Sequence, residues 1–240
     1  MPEQNTQACL LCGEPLVYDT EEQEMECAIC HRVLPSRARC RQGHFVCDDC
    51  HSRSALSLLP ELCRRETSSD PWDIARRMML LPQVHMHGPE HHVLVGLALL
   101  TAYQNAGGSL DLDAALQEMV RRGKQIPGGA CGFLGCCGAA VSAGTFMALA
   151  TGSTPLSGPA WGLANQTTAE ALRRIGAIGG PRCCKRDSFL AIGAAVDLCA
   201  AHLGVEMDRP DRLVCLFYHR NPECLDTRCP FNPRFGKTTP

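Results

Sequence analysis

Residues 125–169 read QIPGGACGFLGCCGAAVSAGTFMALATGSTPLSGPAWGLANQTTA. This stretch contains no Asp, Glu, Lys or Arg, although charged residues make up 20% of the chain. Three thiols, Cys131, Cys136 and Cys137, lie among glycines at its start. Because glycine has no side chain, backbone N–H groups and sulfur can approach a bound object closely there. The stretch is therefore predicted to form the buried centre of the protein and one wall of a site.

A second Cys-rich segment is predicted to form the opposite wall. It spans residues 179–186 and reads Gly-Gly-Pro-Arg-Cys-Cys-Lys-Arg. The uncharged residues 130–152 are long enough to span a bilayer. They are rich in Gly, Ala, Ser and Thr, however, and no basic run or aromatic belt flanks them. A buried core helix is therefore predicted, and no membrane association is expected.

Length, charge and amino-acid content limit the class of protein to which this chain can belong. A chain of 240 residues with 45% hydrophobic content predicts one or two domains with a sizeable core. A net charge of −2 and an aromatic content of 5% make nucleic-acid binding unlikely. Seventeen cysteines is an odd number, and residues 1–5 show no secretory signal. We therefore expect a reducing, cytoplasmic setting, in which such cysteines serve as metal ligands or catalytic thiols.

Residues 1–55 are predicted to form a zinc-ribbon or RING-like metal module. Its ligand candidates come in four pairs with the spacing of structural zinc sites, and eight ligands suffice for two tetrahedral zinc ions. They are Cys9 and Cys12, Cys27 and Cys30, Cys40 and His44, and Cys47 and Cys50. His51, which follows them, is expected to be exposed.

Residues 40–50 resemble the middle of a RING finger. The final Cys pair of that family is missing unless Cys9 and Cys12 replace it from the front, so ubiquitin-ligase activity is not expected. Two pairings of the ligands stay open. A sequential zinc ribbon joins the first pair with the second, whereas a cross-brace joins the first with the third and the second with the fourth.

Residues 70–240 are predicted to form an all-helical, Cys-rich domain with an irregular tail from residue 206, so the fold class is mainly α. The linker to the metal module is placed within residues 52–70. Hydrophobic periodicity and capping signals predict the helices. Four of them cover residues 52–63, 112–122, 133–150 and 189–203, the last capped by Asp187 or Ser188. An apolar helix extends from Pro89 to Tyr103. Two more helices begin at the cap Asp70 and at the capping box Thr167–Glu170.

Four polar residues lie at the start of the apolar helix, at the mouth of the predicted core. They are the acid–base candidates His87, Glu90, His91 and His92. A helix N-terminus disfavours imidazolium, which keeps histidine neutral and available as a base or ligand. The alternative is that these side chains only cap the helix by hydrogen bonding.

The cysteines of the second half predict one [4Fe–4S] cluster. Cys224 and Cys229 are the first choices as ligands, completed by Cys215 and by one of Cys183 and Cys184. Zinc, or buried thiols without a metal, is the alternative. The candidates for reactive thiols are Cys131, Cys137, Cys183 and Cys184. A carboxylate or phosphate would be bound by Arg182, Lys185 and Arg186.

Several motifs occur in an order that resembles one uncharacterised Cys-rich domain family of anaerobic bacteria and archaea. They are residues 87–92 (HGPEHH), 127–132 (PGGACG), 161–165 (WGLAN), 182–186 (RCCKR) and 228–231 (RCPF). Some members of that family are attached to methyltransferase-like or radical-SAM modules. The resemblance covers residues 72–232 and implies the redox or sulfur chemistry of an anaerobe. This chain has no Gly-rich SAM-binding motif and no Cys-x3-Cys-x2-Cys.

Two functions follow as predictions. The first is an iron–sulfur enzyme that acts on a small anionic substrate by sulfur transfer or lyase-type chemistry. The second is a non-enzymatic zinc-binding adaptor that docks a protein or RNA partner.

Overall fold

The computed structural model describes residues 9–236. Its N-terminal part contains a two-stranded antiparallel sheet of β1 (Leu16–Glu26) and β2 (Val33–Cys40). The register pairs Leu16 with Cys40 and Glu26 with Val33, and it shifts between Tyr18 and Gln23. Only a small buried cluster of Cys27, Phe45 and Cys47 supports this sheet. A two-stranded hairpin with so little core is marginal alone, and metal ions bound to its Cys and His side chains would stabilise it.

Helices make up most of the remaining chain, which confirms the mainly α class. In the described residues they are α1 (Asp48–Arg65), α2 (Pro71–Met79), α3 (His91–Asn105), α4 (Leu112–Gly123), α5 (Ala130–Phe133), α6 (Gly138–Ala150), α7 (Pro159–Ile178) and α8 (Cys184–Leu203). The tail that follows has only two short 3₁₀ turns, Tyr218–Arg220 and Asp226–Arg228.

Helix α3 is the centre of the helical domain. Its sequence is apolar on nearly every side, and nearly all of its side chains are buried. It packs against α1, α2, α4, α6 and α8. A helix without a polar face can be stable in water only when other helices surround it. The charge-free stretch at residues 125–169 supplies one of these neighbours, α6.

Helix α1 joins the metal module to the helical domain without a break. Its first turn holds Cys50, and its later residues Ala55, Leu59 and Cys63 belong to the main hydrophobic core. Within residues 52–70, where the linker is predicted to lie, only residues 66–70 are outside a helix.

Some predicted helix ends are confirmed and others shift. Asp70 caps α2 by accepting the N–H groups of Trp72 and Asp73. Helix α3 begins at His91 rather than at Pro89, because the residues just before it form a turn.

Three other predicted helices were wrong in their bounds. The single helix over 133–150 is divided into α5 and α6 by a turn at Gly135, whose φ of +64° favours glycine. Helix α7 begins at Pro159 rather than at the predicted capping box, and the Thr167 hydroxyl donates to the Leu163 carbonyl within the helix. Helix α8 begins at Cys184, before its predicted caps, and the Asp187 carboxylate accepts the Cys183 N–H.

None of the helices in residues 9–236 has both the length and the apolar composition needed to cross a membrane. Helix α6, which covers most of the uncharged stretch, has 13 residues and packs against α3, α4, α7 and α8. It is thus a core helix, as the sequence predicted.

Close packing of α6 against α7 depends on Gly144. A Cβ atom at this position would lie 2.8 Å from the Ala164 carbonyl oxygen, which belongs to the backbone of α7 and cannot move aside easily. We expect Gly144→Val to lower the free energy of unfolding by about 1–3 kcal/mol through overpacking. Denaturant unfolding followed by circular dichroism measures this change.

Gly176 on α7 is the matched control, because no atom lies within 4 Å of a Cβ added there. Gly176→Ala should raise the free energy of unfolding by about 0.5–1 kcal/mol, as alanine is the better helix former. Equal losses in both variants would contradict the close approach of the two helices.

Candidate metal centres and the pocket beside them

The eight predicted N-terminal ligands form two compact groups. Cys9, Cys12, Cys40 and His44 form one, and Cys27, Cys30, Cys47 and Cys50 form the other. In each group the ligand atoms all lie within 4.8 Å of one another. The Cys12 and Cys40 sulfurs are 3.8 Å apart and those of Cys30 and Cys47 are 3.7 Å apart. Four thiolates about 2.3 Å from one tetrahedral ion would be separated by about 3.8 Å, so both groups could bind metal ions, plausibly zinc.

The grouping decides between the two pairings. The first pair lies with the third and the second with the fourth, which is the cross-brace arrangement. Hydrogen bonds lower the pKa of some of these thiols, whereas burial raises the pKa of others. Burial opposes ionisation of Cys40, but N–H groups of His44 and Gln42 outweigh it and lower the pKa of this thiol to about 7. The Arg32 guanidinium lowers the pKa of Cys30 to about 6.

A third group of possible ligands combines the two parts of the chain. His51, at the start of α1, meets His85 and Glu90 from the loop before α3. Nδ1 of His51 lies 3.5 Å from Glu90 Oε2, and Nδ1 of His85 lies 3.3 Å from Glu90 Oε1. Burial favours the neutral acid, but the two imidazoles outweigh it and hold the pKa of Glu90 well below its usual range.

Sequence reasoning missed two members of this group. His51 was expected to be exposed, but its side chain is only 22% exposed. His85 was passed over, although it opens a segment with four histidines in eight residues. The abundance of histidine in this segment could have identified His85. The position of His51 beside the segment depends on the direction of α1, which spacing in the sequence does not give.

His91 and Lys185 lie behind this group and support it. The buried Lys185 ammonium donates to the His85 carbonyl at 2.7 Å and lies 3.0 Å from His91 Nε2. His91 Nδ1 is 3.0 Å from the Gly88 carbonyl, which fixes the neutral tautomer with hydrogen on Nδ1. Burial lowers the pKa of Lys185 to about 8. Both side chains are thus engaged inside the protein, away from the large pocket described below.

A small, mostly apolar cavity is lined by four cysteines: Cys183, Cys215, Cys224 and Cys229. The sulfurs of Cys215 and Cys224 each accept a backbone N–H group from two residues further along the chain. For example, the Phe217 N–H lies 3.4 Å from the Cys215 sulfur. The same local bond occurs at the N-terminal ligands, as between the Leu11 N–H and the Cys9 sulfur at 3.5 Å. These two thiols therefore share the local backbone geometry of the metal-ligand candidates.

A large pocket of about 840 Å³ lies between the metal module and the helical domain. Such a volume suits a small-molecule ligand. Its walls include both β-strands, the start of α1 and the loop before α3. Among its lining side chains are Tyr18, His51, His85, His87, His92, Cys131, Arg182 and Cys184.

The predicted single site for all the thiols is divided between these two cavities. Cys183 and Cys229 line the small cavity, whereas Cys131 and Cys184 line the large pocket. Cys137 borders the core, where burial raises the pKa of its thiol to about 12. The adjacent cysteines Cys183 and Cys184 thus face different cavities.

The remaining predicted side chains differ in their surroundings. Burial lowers the pKa of His87 to about 4, so its imidazole is neutral at pH 7. His92 Nδ1 donates to the Ile126 carbonyl at 3.1 Å, which leaves Nε2 as the acceptor. Arg186 is buried and pairs with Asp187 at 2.9 Å. Of the predicted anion-binding residues, Arg182 is the one that lines the large pocket.

Residues 59–232 match the model of a family of unknown function, DUF5714. The chain belongs to this family. No curated protein and no solved structure matches it. The DUF5714 region begins inside α1 and contains the small cavity, His85 and Glu90. It leaves out the two N-terminal Cys/His groups and His51.

The cross-brace can be tested with two double variants. Cys12→Ala with Cys40→Ala removes two ligands of one group, so we expect the loss of one metal ion per chain. Cys12→Ala with Cys30→Ala damages both groups and should remove two. Elemental analysis of anaerobically purified protein measures the difference. A sequential ribbon would give the reverse order of losses.

Proposed function

We propose that this protein is an iron–sulfur enzyme with a metal-stabilised N-terminal module. The observation that carries the proposal is the set of four cysteines around one small cavity, two of which accept a backbone N–H group at their sulfur. Iron–sulfur clusters are held by four cysteine thiolates, and hydrogen bonds to the sulfurs tune their potentials. The aromatic rings of Phe217 and Phe231 also line the cavity.

The spacing of these thiols favours a cluster over a single ion. Thiolates around one tetrahedral ion are about 3.8 Å apart, as in the N-terminal groups. Across residues 9–236, no three of the four cavity thiols lie within 4.8 Å of one another. The four thiols therefore do not have the spacing of a mononuclear site, and we propose that Cys183, Cys215, Cys224 and Cys229 would hold a [4Fe–4S] cluster.

The large pocket is the proposed substrate site. Its predicted ligand is a small anion, because the Arg182 guanidinium lies on its wall, 5.0 Å from the centre of the Tyr18 ring. Across the described chain no carboxylate is within ion-pair distance of Arg182. Neutral His87 and His92 are the acid–base candidates, and Cys131 and Cys184 are the thiol candidates. Sulfur transfer or lyase-type chemistry in a reducing cytoplasm is the reaction class we propose.

Removal of a cavity cysteine tests the cluster. Protein purified without oxygen should be brown, with about four iron and four sulfide ions per chain as expected for such a cluster. Cys229→Ala should lose most of both, because the cluster would keep only three ligands. Iron and acid-labile sulfide analyses, with electron paramagnetic resonance after reduction, measure the loss.

Cys199→Ala is the matched control, since Cys199 is an equally buried thiol that lies in the core and outside the cavity. It should keep full iron and sulfide. A colourless wild-type protein that carries only zinc would rule out the cluster.

Anion attraction by Arg182 can be measured without knowing the substrate. Cys131 is partly exposed and lines the same pocket, so its alkylation reports on the pocket. We expect Arg182→Gln to slow the reaction of Cys131 with anionic iodoacetate several-fold, with little effect on neutral iodoacetamide. Mass spectrometry of the labelled peptide measures both rates. Equal slowing of both reagents would argue against an electrostatic role.

A protein-docking adaptor is the second candidate. The observation in its favour is the exposure of Leu10, Leu11 and Ile29, which lie between the paired cysteines of the metal module. Apolar side chains held outward on a metal-stabilised turn suit a protein contact. A colourless protein that binds a partner, and loses it on Ile29→Asp, would favour this function.

A further inference from the structure

We propose that His51, His85 and Glu90 bind a third mononuclear ion, a divalent transition-metal ion of the Zn²⁺ or Fe²⁺ class. This site is separate from the two N-terminal groups and from the four-cysteine cavity. Two imidazoles and one carboxylate form a donor set that suits such ions.

The distances fit ligands of one ion better than hydrogen-bonded partners. The two imidazole nitrogens lie 3.3 and 3.5 Å from the Glu90 carboxylate oxygens. Charge-assisted hydrogen bonds between such groups are shorter, about 2.7–2.9 Å. Ligands about 2.0–2.1 Å from a tetrahedral ion are separated by about 3.4 Å. The imidazole rings of His51 and His85 are also close, with centroids 4.3 Å apart.

The buried polar atoms lack other partners. Nδ1 of His51, Nδ1 of His85 and Oε2 of Glu90 are all buried and have no hydrogen-bond partner in the structure. An unsatisfied buried polar atom costs about 1–3 kcal/mol, and more if it is charged. One cation between the three side chains would satisfy all three atoms at once.

The surrounding chain holds the three side chains in place. The carboxylate of Glu90 accepts the His85 backbone N–H at 2.8 Å, and Lys185 donates to the His85 carbonyl. Gly88 leaves room for the carboxylate, since a Cβ there would lie 2.7 Å from Glu90 Cδ. In metal sites, contacts of this kind between the ligands and the residues around them orient the ligands.

The ion would face the large pocket. His51 and His85 line that pocket, whereas the fully buried Glu90 lies behind them. Three protein ligands leave at least one coordination position open, as in catalytic rather than structural zinc sites. A divalent ion with two neutral imidazoles and one carboxylate has a net charge of +1, which favours an anionic oxygen as the next ligand. This choice of ligand, unlike the metal site, rests on the proposed function.

The site also depends on both parts of the chain. His85 and Glu90 belong to the DUF5714 region, but His51 precedes it. The metal module therefore completes a centre that the family region holds only in part.

A cobalt titration of the whole, anaerobically purified protein tests the proposal, with the N-terminal ions left in place. We expect one added Co²⁺ to bind with weak d–d absorption and no thiolate-to-cobalt charge transfer, because none of the three ligands is a thiol. His85→Ala and His51→Ala should weaken this binding at least about 10–100-fold. Glu90→Gln, which keeps the side-chain volume, should do the same.

Controls separate this centre from the others. His31→Ala removes an exposed histidine that does not line the pocket and should leave cobalt binding unchanged. His85→Ala should keep its iron, sulfide and N-terminal ions, whereas Cys229→Ala should lose iron and still bind the added cobalt. If a variant does not fold, the wild-type spectrum decides. A wild-type chain that takes up no added cobalt, or variants that bind it equally well, would overturn the third site.

Discussion

The large pocket depends on the continuity of α1. This helix starts among the ligands of the metal module, at Cys50, and ends in the main core, at Cys63. Because α1 is continuous, it fixes the orientation of the module relative to the core. This orientation can change only if α1 bends or core side chains are displaced. The strands are thereby held opposite the loop before α3, and the space between them becomes the pocket.

The two halves of the chain are stabilised by different means. The helical domain buries a large apolar cluster centred on α3, and hydrophobic burial suffices to explain its order. The N-terminal module has almost no such cluster, and the tail after α8 has little regular structure. The N-terminal module holds seven of the 17 cysteines, whereas the tail also places Met207, Cys215 and Phe217 in the main core. Metal ions bound to the two N-terminal Cys/His groups would stabilise the module where the hydrophobic core is absent.

Local signals in the sequence predicted much of this structure. The ligand pairs, the cap at Asp70 and the buried α3 follow from spacing and periodicity, which act over a few residues. The capping-box pattern at Thr167 failed, because Pro159 provides an earlier start and nothing in the packing stops the helix there. The break at Gly135 was missed since glycine is common in that stretch and only one position needs a positive φ.

The arrangement of the sites could not be read from spacing. The cross-brace, the separation of Cys183 from Cys184 and the meeting of His51 with Glu90 all depend on contacts between distant residues. Helix α8 begins between the two adjacent thiols, and its first turn directs them to opposite sides.

The order of the cavity cysteines along the chain bears on how a cofactor could be installed. Cys183 is made well before Cys215, and Cys229 comes last. The cavity therefore cannot be complete until residue 229 has left the ribosome, whereas the N-terminal ligands are all available after residue 50. Domains generally fold in N-to-C order during synthesis. Any metal binding by the N-terminal groups can thus begin before all four cavity cysteines have been made.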